Sequence, residues 1–146
     1  MRVIDSSIEI AAAPEEVWAV LTDFSRYEEW NPFVIRAEGE ATVGTTLTLD
    51  IRPPGGTAST HHPTVRIAEP GRHLRWLGTA GKPWLLSARH DFVLEPAGTG
   101  TRLRHSETFT GLLVLPLKRT LDQSEKGFAQ LNQALKERAE GHRPAS

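Results

Sequence analysis

The sequence predicts an α+β fold in which a curved antiparallel sheet of seven strands closes around one long C-terminal helix. The expected order is strand, two short helices, six strands, helix. Three observations predict it. Residues 33–110 form a series of short alternating segments separated by Gly- and Pro-rich turns, as in a meander. Residues 117–138 carry an apolar stripe at spacings of three and four, which marks a helix with one buried face. A single antiparallel sheet buries only one face unless something covers it, and this helix is long enough to do so.

Residues 3–10 open with β-branched side chains and a loose alternation (Ile4, Ser6, Ile8, Ile10), the first strand. Ala13-Pro14-Glu15-Glu16 is a helix entry, because proline suits the first helical position and acids favour the positive end of the dipole. Val17, Val20, Leu21 and Phe24 recur at helical spacing as its inner face. Residues 25–30 predict a second short helix. Asn31-Pro32 stops it, since the residue before proline resists helical geometry.

Strands are predicted over 33–40, 45–52, 60–68, 73–79, 84–95 and 102–110. Pro63 cannot donate to a ladder, so an edge or a bulge is expected there. The last helix begins near Pro116, with Leu117, Leu121, Ser124, Phe128, Leu131, Leu135 and Arg138 on its inner stripe. Gly127 within it costs about 1 kcal/mol relative to alanine, which predicts a bend or a close backbone approach. Residues 141–146 are expected to fray.

The 146 residues suit a single domain (1–146, ordered core about 3–140) and are 38% hydrophobic and 24% charged, which argues against disorder. A net charge of −1 leaves no basic excess, so no nucleic-acid partner is expected. The absence of cysteine removes disulfides, thiolate zinc sites and thiol catalysis, and fits a reducing cytoplasm. Asp5 and Glu9 interrupt any N-terminal signal segment, and the apolar run at 112–115 is too short to span a bilayer. A cytoplasmic location without a transmembrane segment is therefore expected. The oligomeric state stays open.

Several stretches together carry a resemblance: Pro14-Glu15-Glu16-Val17-Trp18, Leu21-Thr22-Asp23-Phe24 and Tyr27-Glu28-Glu29-Trp30-Asn31-Pro32-Phe33. Glu69-Pro70-Gly71-Arg72-His73-Leu74-Arg75-Trp76, Thr101-Arg102-Leu103-Arg104-His105 and Gly127-Phe128-Ala129-Gln130-Leu131 belong to the same set. In order and spacing the chain resembles the START-like helix-grip superfamily called SRPBCC, in its bacterial polyketide cyclase/dehydrase-like group. The resemblance implies a deep pocket for a hydrophobic ligand between sheet and helix, and it does not imply one chemistry.

Within that frame the 84–95/102–110 hairpin has an unusual inner face. Alternation puts Ala88, His90, Phe92 and Leu94 on one strand beside Leu103, His105, Glu107 and Phe109 on the other. With residues 97–100 as the loop, Leu94 opposes Leu103, Phe92 opposes His105, and His90 opposes Glu107. His90, His105 and Glu107 then form a polar island on an apolar wall. It can act as a general base, anchor a ligand oxygen, or offer a two-His-one-carboxylate metal set. A satisfied polar network lining a partly wet pocket, without chemistry, is the favoured account of it. No short-spaced metal motif is present, so neither metal nor cofactor is expected.

The candidate ligand-binding residues are Phe33, Ile35, Leu49, Val65, Trp76 and Phe92, together with Phe109, Phe128, Leu131 and the three polar ones. Tyr27, Trp18 and Trp30 read as packing residues, Arg36 as solvated, and His61-His62 as a surface pair. No Ser/His/Asp triad, phosphate-cradling Gly loop or HExxH helix is present. The expected function is binding of a small hydrophobic ligand, aromatic or polyketide/lipid-like. The alternative is an aromatase/cyclase-type enzyme with His90 or His105 as base and Glu107 orienting it. A second alternative is an interaction module similar to chaperone activators of the same fold.

Overall fold

The computed structural model describes residues 1–141. β1 (Arg2–Ile10) leads into α1 (Pro14–Thr22) and a 3-10 helix (Phe24–Glu29). β2 (Val34–Glu38), β3 (Thr48–Ile51), β4 (Ser59–His61) and β5 (Thr64–Glu69) follow. β6 (His73–Thr79), β7 (Ser87–Ala97), β8 (Gly100–Thr110) and α2 (Lys118–Gly141) complete the described order. This is the expected α+β helix-grip arrangement, with one strand more. Of the 141–146 segment expected to fray, Gly141 is the last residue of α2, and 142–146 lie outside the described residues.

The extra strand arises at Pro63. The segment expected as one strand over 60–68 is two, β4 and β5, in different sheets: β1-β8-β7-β6-β5 and β2-β3-β4. Proline has no N–H for a ladder, so pairing breaks there. Its carbonyl still accepts from the Leu47 N–H at 2.8 Å, and Val65 N–H donates to the Thr45 carbonyl at 2.9 Å. An isolated Thr46–Thr64 bridge adds to this stitching of one sheet to the other. β7 begins later than expected, at Ser87. Trp84 sits in a turn where the Leu85 N–H bonds the Lys82 carbonyl at 2.9 Å, which takes it out of the ladder.

The hairpin that carries the site has the expected register. Ala97 pairs with Gly100 across Gly98-Thr99, and Gly98 takes φ +62°, where glycine has no Cβ to clash. That short turn locks Phe92 opposite His105 and His90 opposite Glu107. A slip by one residue would turn this inner face outward.

α2 buries Leu121, Ser124, Gly127, Phe128, Leu131, Asn132, Leu135 and Ala139. Arg138 closes no stripe; it is half-buried and reaches the Glu29 carboxylate at 2.6 Å. Gly127 marks a close approach, since a Cβ there would overlap the Phe33 ring. The reason lies in Asn31, whose Oδ1 accepts the N–H groups of Phe33 (3.0 Å) and Val34 (2.8 Å). That turn accompanies the placing of Phe33 over the helix, edge-on to Phe128 at 5.6 Å. Tyr27, read as a packing residue, is fully buried in the core. Its hydroxyl donates to the Leu21 carbonyl, and burial, with Asp23 nearby, raises its pKa far above the ordinary value.

Candidate functional site

A cavity of about 310 Å³ opens between the two sheets and the N-terminal half of α2. Leu49 and Ile51 of β3, Trp76 of β6, Ala88 of β7, Phe109 of β8 and Leu121 of α2 supply apolar wall. Its size is at the lower end of the roughly 300–1,000 Å³ usual for small-molecule pockets.

Of the residues expected to line it, Phe33, Leu49, Trp76, His90, Glu107 and Phe109 do. Val65, Phe92, His105, Phe128 and Leu131 are instead buried in the core. Ile35 is displaced by a bulge: the β2–β3 register shifts between Val34 and Arg36, and the buried positions go to Val34 and Ala37. His61 and His62 are exposed, as expected of a surface pair, and both also border the cavity. His61 Nε2 meets Ser59 Oγ at 2.8 Å. Desolvation lowers the His61 pKa, and the Glu107 carboxylate opposes that shift.

The polar island exists and is larger than His90, His105 and Glu107. His90 Nε2 and His105 Nε2 are 2.5 Å apart, and His105 Nδ1 lies 2.7 Å from Asn132 Oδ1. Asn132 Nδ2 is 2.9 Å from Ser6 Oγ, which is 2.9 Å from the His105 carbonyl oxygen. On the other side, His90 Nδ1 faces Glu107 Oε2 at 3.6 Å.

The donors in this chain follow from its fixed end. A carbonyl oxygen only accepts, so the Ser6 hydroxyl donates to it and must accept from Asn132. Asn132 therefore presents its amide NH2 to Ser6 and its oxygen to His105, and His105 Nδ1 carries a proton. Burial first, then the neighbouring His90, hold the His105 pKa well below the ordinary value despite the Asn132 bond. The ring is neutral, so its Nε2 accepts from His90 Nε2–H. Among the described residues, the one imidazole nitrogen of this pair left without a hydrogen-bond partner is His90 Nδ1, on the cavity side beside Glu107.

Packing holds both rings in place. His105 stacks on Phe128 at 4.1 Å and 6°, and on Phe92 at 4.4 Å. His90 stacks on Phe92 at 4.7 Å and meets Trp76 at 4.9 Å. His90 is thus oriented by His105, Asn132 and Ser6 from behind, whereas Glu107 stands in front of it. The two-His-one-carboxylate metal set does not fit, because nitrogens bonded to one another cannot both turn to an ion. Among the described residues no group of three or more His, Cys, Asp or Glu side chains is arranged to hold a metal.

A second polar cluster lies away from the cavity. Asp91 on β7 takes His73 Nε2 at 2.6 Å, Arg75 Nε at 2.7 Å and Arg89 Nε at 3.3 Å. Burial raises its pKa, but the His73 and Arg75 hydrogen bonds outweigh that and hold it below the ordinary value. This is a network on the sheet that ties β6 to β7.

Comparison with solved structures gives the same fold over nearly the whole chain. A START superfamily protein from Mycobacterium smegmatis has a TM-score of 0.78 at 20% identity, covering 97% of this chain and 99% of that one. The Zhui aromatase/cyclase from Streptomyces sp. R1128 has a TM-score of 0.80 at 17% identity, covering 99% and 96%. Protein MLL2253 from Mesorhizobium loti has a TM-score of 0.78 at 23% identity, covering 98% and 100%. A search of curated protein sequences finds no match. The family model described as polyketide cyclase / dehydrase and lipid transport matches residues 1–140, and the chain belongs to that family.

Proposed function

We propose that the cavity binds a small, neutral, largely apolar molecule that donates a hydrogen bond, such as a hydroxylated aromatic. The observation that carries this reading is the polarity of the cavity's inner end. His90 Nδ1 and the Glu107 carboxylate, both acceptors while His90 is neutral, stand together among Trp76, Phe109 and Ala88. No lysine or arginine is among the described lining residues, so no permanently charged cation there compensates a bound anion. A hydroxyl satisfies the acceptors, whereas a ligand carboxylate would meet Glu107 unpaired. The match to a hydrophobic-ligand family supports the apolar part.

1-Naphthol and 1-naphthoate, which share a ring system, test this by quenching of tryptophan fluorescence. The phenol is expected to bind at least about tenfold more tightly. Equal or tighter binding of the carboxylate would overturn the reading.

One observation favours a second reading, enzymatic rather than binding alone. His90 Nδ1 is held as the free nitrogen by three residues behind it, and Glu107 is placed to stabilise the imidazolium formed when that nitrogen takes a proton. A ligand C–H next to a carbonyl would lose its proton to Nδ1, its electron pair passing to the carbonyl oxygen as an enolate. Deuterium uptake by 2-tetralone in D2O, abolished in His90→Phe, is the expected result on this reading. An exchange rate that His90→Phe leaves unchanged would exclude it.

A further inference from the structure

Two loops meet beside the cavity mouth and hold three large apolar side chains in solvent. The 80–86 loop presents Trp84, 62% exposed, and the 111–117 segment presents Leu112 and Leu115, 70% and 83% exposed. This exposure is built. Leu112 N–H donates to the Trp84 carbonyl at 3.1 Å and Leu113 N–H to the Leu85 carbonyl at 2.9 Å. Gly111 takes φ +116°, and a Cβ there would overlap the Leu85 carbonyl, so only glycine lets the loops zip this closely. Val114 is buried beneath them and anchors the segment.

Scattered exposed hydrophobics need no explanation, but a cluster fixed by backbone bonds does. The charge around it points to the partner. Residues 78–90 and 108–121 contain no aspartate or glutamate, and they contribute Lys82, Lys118 and Arg119 next to the apolar side chains in sequence. Lys118 reaches Asp122 at 3.2 Å, but Arg2 already holds that carboxylate at 2.6 Å. Lys82 and Arg119 have no ion pair among the described residues. A tryptophan and two leucines flanked by three cations, of which Lys82 and Arg119 have no ion pair among the described residues, are the composition of a surface that lies in a lipid headgroup region. The same two segments supply Ala80, Leu86 and Leu117 to the cavity.

We propose that this pair of loops docks on an anionic phospholipid bilayer, with Trp84, Leu112 and Leu115 in the interface and Lys82, Lys118 and Arg119 at the headgroups. The cavity mouth then faces the membrane, and an apolar ligand passes between the two without crossing bulk water. The inference stands on the surface alone and does not depend on which ligand the cavity takes.

Co-sedimentation tests it, with vesicles of phosphatidylcholine alone and of equal parts phosphatidylcholine and phosphatidylglycerol. Binding is expected to the mixed vesicles only and to weaken as salt is raised. Lys82→Glu/Arg119→Glu should lower it by at least about fivefold per cation lost. Trp84→Ser/Leu115→Ser should abolish it while circular dichroism and 1-naphthol binding in solution stay as in the parent. None of these four residues lines the cavity, so a failure of docking and a failure of ligand binding are read separately. No sedimentation, equal binding to both vesicle types, or binding retained in both variants would overturn the proposal. So would a solution dimer, lost in Trp84→Ser/Leu115→Ser, without vesicle binding, which would assign the patch to a second copy of the chain.

Discussion

His90 Nε2 and His105 Nε2 lie 2.5 Å apart, and only one of the two can carry the proton between them. The hydrogen bond from Ser6 to the His105 carbonyl decides which. Nitrogen-detected NMR of the imidazoles checks this directly. His105 is expected as the Nδ1–H form and neutral His90 as the Nε2–H form. The opposite assignment for either ring would remove the argument for Nδ1 as the cavity's free nitrogen.

The same network makes stability depend on pH with a definite sign. His105 has its pKa lowered well below 6.5, by burial first and His90 second. Below that ordinary value an unfolded chain protonates this imidazole while the folded chain keeps it neutral. The stabilisation is therefore present in full above about pH 6.5 and falls as pH drops, by at most about 1.4 kcal/mol per pH unit. Urea midpoints measured across that range should show the slope, and His105→Gln, which cannot ionise, should flatten that part of it.

Asn132→Leu removes the acceptor for His105 Nδ1–H and leaves Ser6 without its donor. A buried donor left unpaired costs about 1–3 kcal/mol. The thermal midpoint should fall accordingly, and both tautomers of His90 should become visible by NMR.

Gly127→Ala sets two effects against each other. Alanine gains about 1 kcal/mol in helix propensity, but its Cβ meets the Phe33 ring inside van der Waals contact. Overpacking at such a site costs about 1–3 kcal/mol, so net destabilisation is expected, with loss of ligand affinity because Phe33 lines the cavity. In Phe33→Leu the same glycine substitution should cost less, and a double-mutant cycle reads the difference.

Asp91→Asn tests the outer network. The carboxylate is held below its ordinary pKa by His73 and Arg75 against the cost of burial, so its contribution is present above about pH 4 and lost as the carboxyl protonates below. The variant should lower the midpoint at neutral pH, by about 1–2 kcal/mol equivalent, and converge on the parent in acid. Ligand binding should be unaffected, because Asp91 does not line the cavity.

The hairpin was readable from sequence because its face and register rest on local rules. Strict alternation placed His90, His105 and Glu107 together, and the Gly98-Thr99 turn left no freedom to slip. Gly127 was readable as a close approach, although its partner Phe33 was not, since that depends on the Asn31 turn. Asn132 escaped notice because a search for an apolar stripe passes over a polar residue next to Leu131. Its place four residues after Phe128 was the available signal. Pro63 signalled a disruption, but whether a proline bulges a strand or divides it between sheets depends on what pairs with each half. The β2 bulge, which displaced Ile35, left no mark in the alternation.

The Ser6–His105 carbonyl bond has one more consequence. Every donor behind His90 is committed in a single direction, and the last of them ends on an atom that cannot pass a proton on. The protein interior is a dead end for protons. Whatever His90 takes from the cavity it must return there, to the bound molecule or to water that enters after it, so the wall can borrow a proton from its guest but cannot export one.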